Sequence, residues 1–212
     1  MIIKVCGITE PQQAREISKL GATHIGVIHF EKSPRHIGLE EIENIKRNIE
    51  NSKLVAVVVN PEEERVRNLL EIVDIIQFHG DESIDFVKQF PKEKVWKAFR
   101  VKDESDIDKI KPFAGEGITV LIDAFHKEAY GGTGKQIDPT LAKKIIDTYK
   151  NVILSGGLSP DNVESLIKEL KPIGVDASSK LEVKPGLKDI QKVKSFVEKS
   201  KLAFETITGE VF

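Results

Sequence analysis

Eight apolar runs of strand length alternate with amphipathic segments of helical length along this sequence, and the alternation predicts a single-domain (β/α)8 (TIM) barrel over residues 1–212. Strands that alternate with helices in this way are parallel and joined by right-handed crossovers. Eight units in 212 residues leave about 26 residues each, which is compact for this fold. A doubly wound open sheet is the alternative, but Cys6-Gly7-Ile8-Thr9 lacks the G-x-G-x-x-G turn that such sheets carry after the first strand.

The first predicted strand is the β-branched run Ile2–Cys6, which stops at a Cys-Gly pair. Side chains alternate between the two faces of a strand, so Lys4 and Cys6 share one face and Ile3 and Val5 share the other. We expect Lys4 and Cys6 to face the barrel interior and the two aliphatic residues to face the helices. The seven further strands are predicted at His24–Phe30, Lys53–Val59, Asp74–Phe78, Val95–Arg100, Thr119–Asp123, Val152–Ser155 and Gly174–Asp176.

Amphipathic segments between these strands predict the helices. They are Gln12–Leu20, Leu39–Ile49, Glu62–Ile72, Ser83–Phe90, Thr140–Tyr149, Asn162–Leu170 and Leu187–Lys199, with a weaker segment near Asp106–Phe113. Three helix starts pair a capping side chain with a proline, at Asn60-Pro61, Asp138-Pro139 and Ser159-Pro160. Residues 204–212 fit no element of the barrel, and a C-terminal extension, a docking segment and a disordered tail are the alternatives there.

Composition narrows the class of protein. The 32 basic and 34 acidic residues are spread along the chain without a basic block, so no nucleic-acid partner is expected. The longest apolar runs, such as Leu54–Val59, are too short to span a bilayer, so no membrane partner is expected either. The sequence starts without a signal segment, and a single cysteine excludes an internal disulfide. These features predict a cytoplasmic protein.

Most polar and glycine-rich motifs directly follow a predicted strand, and the carboxyl ends of the strands form the catalytic face of a TIM barrel. Cys6 ends the first strand and Asp123 ends the sixth. Arg35 follows the second strand in a Ser-Pro-Arg turn, and His79 follows the fourth strand. We therefore expect all four side chains near the mouth of the barrel.

The ends of the seventh and eighth strands predict a phosphate site. Gly156 and Gly157 allow backbone N–H groups to approach an anion, and Ser178 and Ser179 add hydroxyl donors on the neighbouring strand. TIM barrels often bind phosphate between these two loops. Gly-Gly alone would indicate only a turn, but the serine pair beside it favours a phosphorylated small-molecule ligand.

Two other features of the sequence resemble binding motifs without matching their spacing. The segment Gly131–Lys135 lacks the spacing of a nucleotide-binding P-loop, and it fits better a mobile lid over a ligand. His29 and His79 stand near strand ends, but no histidine has the spacing of a metal ligand, so no metal is expected.

Taken together, the motifs resemble the phosphoribosylanthranilate isomerase family of tryptophan biosynthesis. The resemblance covers nearly the whole chain and is carried by Lys4-Val-Cys-Gly-Ile-Thr9, Lys32-Ser-Pro-Arg35, Gln77-Phe-His-Gly-Asp81, Asp123 with Gly131-Gly-Thr-Gly134, Ser155-Gly-Gly-Leu158, and Asp176-Ala-Ser-Ser179 leading to Pro185-Gly-Leu-Lys-Asp189. The chain departs from the family at Lys180, where a glycine often follows the serine pair, and this leaves the shape of the phosphate loop open.

The resemblance implies a function. Members of this family perform an Amadori rearrangement of N-(5′-phosphoribosyl)anthranilate to 1-(2-carboxyphenylamino)-1-deoxyribulose 5-phosphate, with neither cofactor nor metal. It implies that Cys6 is the general base, that Asp123 is the general acid and that Arg35 binds the anthranilate ring and carboxylate. His79, Gly132 and Gly134 are then expected at the substrate, and the enzyme is expected to be a monomer or a homodimer.

Three other functions share some of these sequence features. The histidine-pathway isomerase catalyses the same rearrangement, but it generally has aspartate at the position of Cys6 and binds two phosphates, whereas Val59-Asn60-Pro61-Glu62 here is acidic and lacks glycine. A sugar-phosphate epimerase would need metal ligands that the sequence lacks. A non-catalytic barrel that binds a phosphorylated ligand would need neither Cys6 nor Asp123.

One structural prediction concerns the closure of the barrel. If the first and eighth strands are neighbours, Lys4 and Asp176 both face inward and form a buried ion pair near the catalytic rim.

Overall fold

The computed structural model describes residues 1–124 and 138–209, and within them eight parallel strands close into a barrel in the order of the chain. This confirms the predicted (β/α)8 fold. The strands are β1 Ile2–Cys6, β2 His24–Ile28, β3 Lys53–Val58, β4 Ile75–Phe78, β5 Val95–Val101, β6 Thr119–Ala124, β7 Val152–Leu154 and β8 Gly174–Ala177. Their ends differ from the sequence prediction by at most two residues.

Eight helices surround the barrel within the described ranges. They are α1 Pro11–Lys19, α2 Leu39–Asn48, α3 Glu63–Leu70, α4 Ile84–Val87, α5 Asp106–Gly115, α6 Pro139–Thr148, α7 Val163–Leu170 and α8 Ile190–Thr208. The weak segment near Asp106 is thus a full helix. The predicted helix Ser83–Phe90 is only the single turn α4, because the chain tightens after it: Gln89 N donates to Phe86 O ahead of Pro91. No helix in the described part of the chain combines the length and apolar character needed to cross a bilayer.

The last helix corrects the interpretation of the C-terminus. Phe204–Thr208 are its final residues, and Phe204 is buried in the core at 2% exposure. The idea that an extension begins at residue 204 is therefore wrong for these five residues. The start of α8 is later than expected because Glu182–Lys184 and Leu187–Lys188 pair as an antiparallel hairpin, β9 and β10, before Asp189 caps the helix.

Only one of the three predicted cap-and-proline helix starts is confirmed. Asp138 caps α6 by accepting a hydrogen bond from Thr140 N, with Pro139 as the first helical residue. Asn60 instead adopts a left-handed backbone (φ 46°), and its side chain accepts a hydrogen bond from Asp81 N, so α3 begins only at Glu63. Ser159 accepts a hydrogen bond from Asp161 N, and α7 begins four residues later.

Because side chains alternate between the two faces of each strand, the apolar residues form two separate cores, one between the barrel and the helices and one inside the barrel. Ile3 and Val5 belong to the large apolar cluster between the barrel and the helices. The interior of the barrel holds a smaller apolar cluster built around Trp96, Leu121 and Ile153. Lys4, fully buried, faces inward, so charged groups take over from apolar ones toward one end of the interior.

Candidate active site

Cys6 lies at the end of β1 with its thiol buried, as a free cysteine. The space for it comes from Gly26 on the adjacent strand β2, where an added Cβ would lie 2.7 Å from Cys6 Sγ and 2.9 Å from Lys4 Cε. Any larger residue at position 26 would displace both side chains. The sequence analysis missed this residue, although a glycine in the middle of a strand is the known signal for a close approach.

Lys4 and Asp176 form the predicted ion pair. They are register partners on β1 and β8, and Lys4 Nζ lies 2.9 Å from Asp176 Oδ2. Burial works against the charge on Lys4, but the attraction of Asp176 and a hydrogen bond with Cys6 outweigh it, so the pKa of Lys4 is raised. Lys4 therefore stays a cation beneath the thiol.

The environment of Cys6 favours the protonated thiol in the unliganded protein. Burial raises the pKa of Cys6, and the lowering effects of Lys4 and Lys188 do not cancel it. Lys4 thus favours the thiolate, but it does not make Cys6 a thiolate at neutral pH by itself.

Asp123 on β6 and His79 after β4 are brought together at the mouth. Both are buried, and His79 Nε2 lies 3.8 Å from Asp123 Oδ2. Burial, with the nearby cations of Lys97 and Lys4, lowers the pKa of His79 to about 3. His79 is therefore neutral at working pH, and its Nδ1 is held by the Gln77 side-chain amide at 3.1 Å. On the side of His79, the carboxyl of Asp123 thus faces a neutral imidazole.

Arg35 reaches the mouth, where it is already paired. Its Nε donates to Glu182 Oε1 at 2.8 Å and its Nη2 donates to Glu182 Oε2 at 2.6 Å. Lys188, whose side chain is fully buried, lies 2.7 Å from the same Glu182 Oε1. Burial alone would raise the pKa of Glu182, but the hydrogen bonds from Arg35 and Lys188 lower it to about 2.

Glu182 and Lys188 are functional candidates that sequence reasoning missed. Lys188 lies in the Pro185–Asp189 motif, which contributed to the family resemblance without a role for any single residue. Glu182 carried no signal in the sequence, because a glutamate soon after the last strand of a barrel is normally a surface residue.

The predicted phosphate residues do lie together. Gly156 and Gly157 after β7 line one small pocket with Ser178 and Ser179 after β8, and Asp123 contributes to the same wall. Both glycines have positive φ, 89° and 69°, a backbone that other residues rarely adopt. The pocket is joined to the thiol strand, because Ser178 Oγ donates to Cys6 O at 3.0 Å. Lys180, the departure from the family pattern, also lines it.

Two predicted substrate residues, Gly132 and Gly134, lie outside the described residues, as does the whole Gly131–Lys135 segment. Within residues 1–124 and 138–209, no three histidine, cysteine, aspartate or glutamate side chains are grouped so as to hold a metal ion. His29 is engaged elsewhere, with Nδ1 2.9 Å from Ile37 O.

Residues 3–199 match the family model described as N-(5'phosphoribosyl)anthranilate (PRA) isomerase. A protein of Sulfurihydrogenibium sp. (strain YO3AOP1) named N-(5'-phosphoribosyl)anthranilate isomerase is 61% identical over 198 residues, which cover 93% of this chain and 98% of that protein. The resemblance noted in the sequence is thereby confirmed along almost its whole length.

Two solved structures are similar to this one. The first shows mutually generated monomers of the dimeric phosphoribosylanthranilate isomerase of Thermotoga maritima; it is 31% identical, with a TM-score of 0.84 and coverage of 95% of this chain and 99% of that one. The second is a phosphoribosylanthranilate isomerase in complex with reduced 1-(o-carboxyphenylamino)-1-deoxyribulose 5-phosphate; it is 30% identical, with a TM-score of 0.83 and the same coverage. A family match over residues 3–199 and a relative 61% identical over nearly its full length show that this chain belongs to the N-(5'-phosphoribosyl)anthranilate isomerase family.

Proposed function

We propose that this barrel isomerises N-(5′-phosphoribosyl)anthranilate with Cys6 as general base and Asp123 as general acid. The reaction itself follows from the family: an aldose–ketose isomerisation that gives 1-(2-carboxyphenylamino)-1-deoxyribulose 5-phosphate, the third step of tryptophan synthesis from chorismate. One observation carries the assignment of residues. Asp123 lines the same pocket as the glycine and serine pairs, and Ser178 in that pocket is hydrogen-bonded to the backbone of Cys6.

Asp123 starts the reaction in this proposal. Its protonated carboxyl gives a proton to the ribose ring oxygen, the bond from C1′ to that oxygen breaks, and the anthranilate nitrogen takes up the positive charge as an iminium ion. A neutral neighbour suits this role, because the neutral His79 places no positive charge against Asp123 that would hold its carboxyl in the ionised form.

Cys6 completes it. The iminium ion acidifies the hydrogen on C2′, and the thiolate of Cys6 removes that proton to leave an enol-amine. Protonation at C1′ and loss of the 2′-hydroxyl proton then give the ketone, so the product is an isomer of the substrate and nothing is oxidised or reduced overall. Lys4 and Lys188 support the thiolate, because each lowers the pKa of Cys6.

The remaining residues bind the substrate. The phosphate is proposed to lie on Gly156, Gly157, Ser178 and Ser179, whose backbone and hydroxyl donors line one pocket. His79 is proposed to contact the sugar beside Asp123. Gly132 and Gly134, which lie outside the described residues, are proposed to bind the substrate as well.

The proposal includes neither a cofactor nor a metal ion, since acid–base chemistry alone moves the protons. The purified protein should consume phosphoribosylanthranilate, followed by its fluorescence, at the same rate with and without a chelator. Loss of activity with the chelator would overturn the metal-free mechanism. Binding of the phosphorylated substrate without turnover would favour a non-catalytic barrel, and turnover of the histidine-pathway aminoaldose alone would favour the rival isomerase.

We propose that the protein is a monomer or a homodimer, because the similar Thermotoga maritima structure shows monomers of an enzyme that is described as dimeric. Its partner is the phosphorylated small molecule, and neither nucleic acid nor membrane is involved. A cytoplasmic location fits the proposed role of its single cysteine, because a reducing compartment keeps a catalytic thiol reduced.

Replacing Arg35 by alanine tests the substrate-binding assignment. If the guanidinium binds the anthranilate carboxylate in a largely desolvated site, Arg35→Ala should weaken substrate binding by about 2–4 kcal/mol. Steady-state kinetics would show this as a raised KM. Arg47→Ala, which removes an exposed arginine paired with Glu43 on α2, is the control and should change neither KM nor kcat. Unchanged kinetics for Arg35→Ala would contradict the assignment.

A further inference from the structure

The carboxylate of Glu182 is surrounded by cations at the mouth of the barrel. Its two oxygens accept hydrogen bonds from Nε and Nη2 of Arg35, in the parallel fork geometry of a bidentate pair. Lys188 Nζ lies 2.7 Å from Glu182 Oε1, and Gly186 N donates a hydrogen bond of 3.3 Å to the same oxygen. The Glu182 side chain is only 4% exposed, so this arrangement is built into the fold and is unlike a surface salt bridge.

The pairing determines which part of Arg35 remains for a ligand. A guanidinium has two edges that can bind a carboxylate, and Glu182 takes the edge formed by Nε and Nη2. The Nη1 side of the fork is not part of the pair. The stem of the arginine is also confined, because Gly7 beneath it, at φ +81°, leaves no room for a side chain: a Cβ there would lie 2.6 Å from Arg35 Cδ.

The hairpin that carries Glu182 and Lys188 is bound to the first strand–helix unit. Gln13 at the start of α1 exchanges two hydrogen bonds of 3.1 Å with the backbone of Lys188. Thr9 Oγ1 donates to Gly186 O at 2.9 Å. The carboxylate is therefore held in place relative to the strand that ends in Cys6, and Arg35 is held in turn by the carboxylate.

The charges at this place do not cancel. Arg35 and Lys188 bring two positive charges and Glu182 one negative charge, while Lys4 and Asp176 below them balance each other. While Cys6 is a protonated thiol, one positive charge is left over in a largely buried region, which suits an anionic group of a ligand.

We propose that Glu182 is a positioning residue for substrate recognition, which with Lys188 fixes Arg35 so that the Nη1 side of its guanidinium receives the carboxylate on the aromatic ring of the substrate. The inference rests on the proposed function, because it takes the carboxylated substrate from there. Glu182 itself does not touch the substrate. It acts by removing the rotamer freedom that Arg35 would otherwise lose on binding.

The test compares two ligands on the folded protein. The first is reduced 1-(o-carboxyphenylamino)-1-deoxyribulose 5-phosphate, and the second is the same molecule without the ring carboxylate. Calorimetry gives the Kd of each, and their ratio isolates the carboxylate, because the phosphate and sugar are common to both. A ratio measured on bound sites is also insensitive to a fraction of unfolded protein. The variants are Glu182→Gln, Arg35→Ala and the control Glu63→Gln, which alters an exposed carboxylate that also accepts two hydrogen bonds from an arginine, Arg67.

The wild type should prefer the carboxylated ligand, and Glu182→Gln should lower that preference at least about 10-fold, since a neutral amide holds the guanidinium less firmly than a carboxylate. The Kd of the ligand without the carboxylate should stay the same, and Glu63→Gln should behave as the wild type. If Glu182→Gln does not fold, Glu182→Asp replaces it: the carboxylate one methylene shorter cannot reach Arg35 and Lys188 together, so the preference should again fall.

Other outcomes overturn the inference at distinct points. An equal loss of affinity for both ligands, or an unchanged preference in Glu182→Gln, would show that Glu182 only stabilises the fold. A stronger preference would show that Glu182 competes with the substrate for Arg35. A wild type that binds both ligands equally would refute the role of Arg35, and one that binds neither would refute the proposed function and this inference with it.

Discussion

Cys6→Ser and Asp123→Asn should each lower turnover by at least about 100-fold, the usual effect of a positioned general acid or base. A serine hydroxyl keeps the size of the thiol but is a far poorer base, and an amide cannot give up the proton that opens the ribose ring. Both variants should fold and bind the substrate, because each substitution keeps the size of the side chain and leaves Arg35 and the glycine and serine pairs of the phosphate pocket unchanged.

The pH dependence follows from the buried thiol. The active pair carries one proton, on Asp123, so kcat/KM should fall at low pH, where both groups are protonated, and at high pH, where neither is. Because burial raises the pKa of Cys6, the limb that belongs to the thiol lies on the alkaline side. Cys6 is therefore expected to be mainly a protonated thiol at neutral pH in the unliganded protein, and only the fraction that carries its proton on Asp123 instead is active.

The thiol can be titrated directly, because Cys6 is the only cysteine of the chain. Its thiolate absorbance in the ultraviolet should be half-maximal above the usual thiol value of about 8.5. Lys4→Met should move that midpoint further up, since it removes a cation that lowers the pKa.

The turnover measurements on Cys6→Ser and Asp123→Asn have their own control. Asp147→Asn, on the exposed face of α6, should leave turnover unchanged. Near-normal turnover in Cys6→Ser would show that the thiol only packs the core, and the proposed mechanism would be wrong.

The sequence was enough to predict the positions of residues that follow from the alternation of side chains along a strand and from the order of strands in the barrel. Alternation along β1 and closure of the barrel were enough to bring Lys4 to Asp176, and the motifs at the ends of β7 and β8 were enough to bring the glycine and serine pairs together. Cys6 and Asp123 followed from the same rule that strand ends meet at one rim.

Residues placed by irregular backbone were not predictable. Glu182 pairs with Arg35 and Lys188 pairs with Glu182 because β9 and β10 form a short antiparallel hairpin. Part of this hairpin lies in a segment that looks helical from Leu187 onward. Asn60 looked like a helix cap, yet its side chain holds the backbone of a neighbouring loop across the rim, at Asp81. In both cases a partner distant in sequence determines the local structure, and no local pattern records that partner.

Lys4→Met should destabilise the fold by about 3–5 kcal/mol, because it leaves the buried carboxylate of Asp176 without its cation. The two side chains are 0% and 7% exposed, and within the described part of the chain the second oxygen of Asp176, Oδ1, has no hydrogen-bond partner. The loss would appear as a lower free energy of unfolding in denaturant titrations. Lys143→Met, which breaks an exposed pair with Asp147, should cost at most about 1 kcal/mol.

The double variant Lys4→Met/Asp176→Leu should recover much of that loss, because two apolar side chains facing each other in the barrel interior leave no charge unpaired. The two residues are register partners on neighbouring strands, so the new side chains can contact each other without a shift of either strand. In a double-mutant cycle the coupling energy should then be large and of the sign that marks a stabilising pair. If the losses of Lys4→Met and Asp176→Leu simply add, the two groups do not stabilise each other, and the ion pair is present only to hold the cation beneath Cys6.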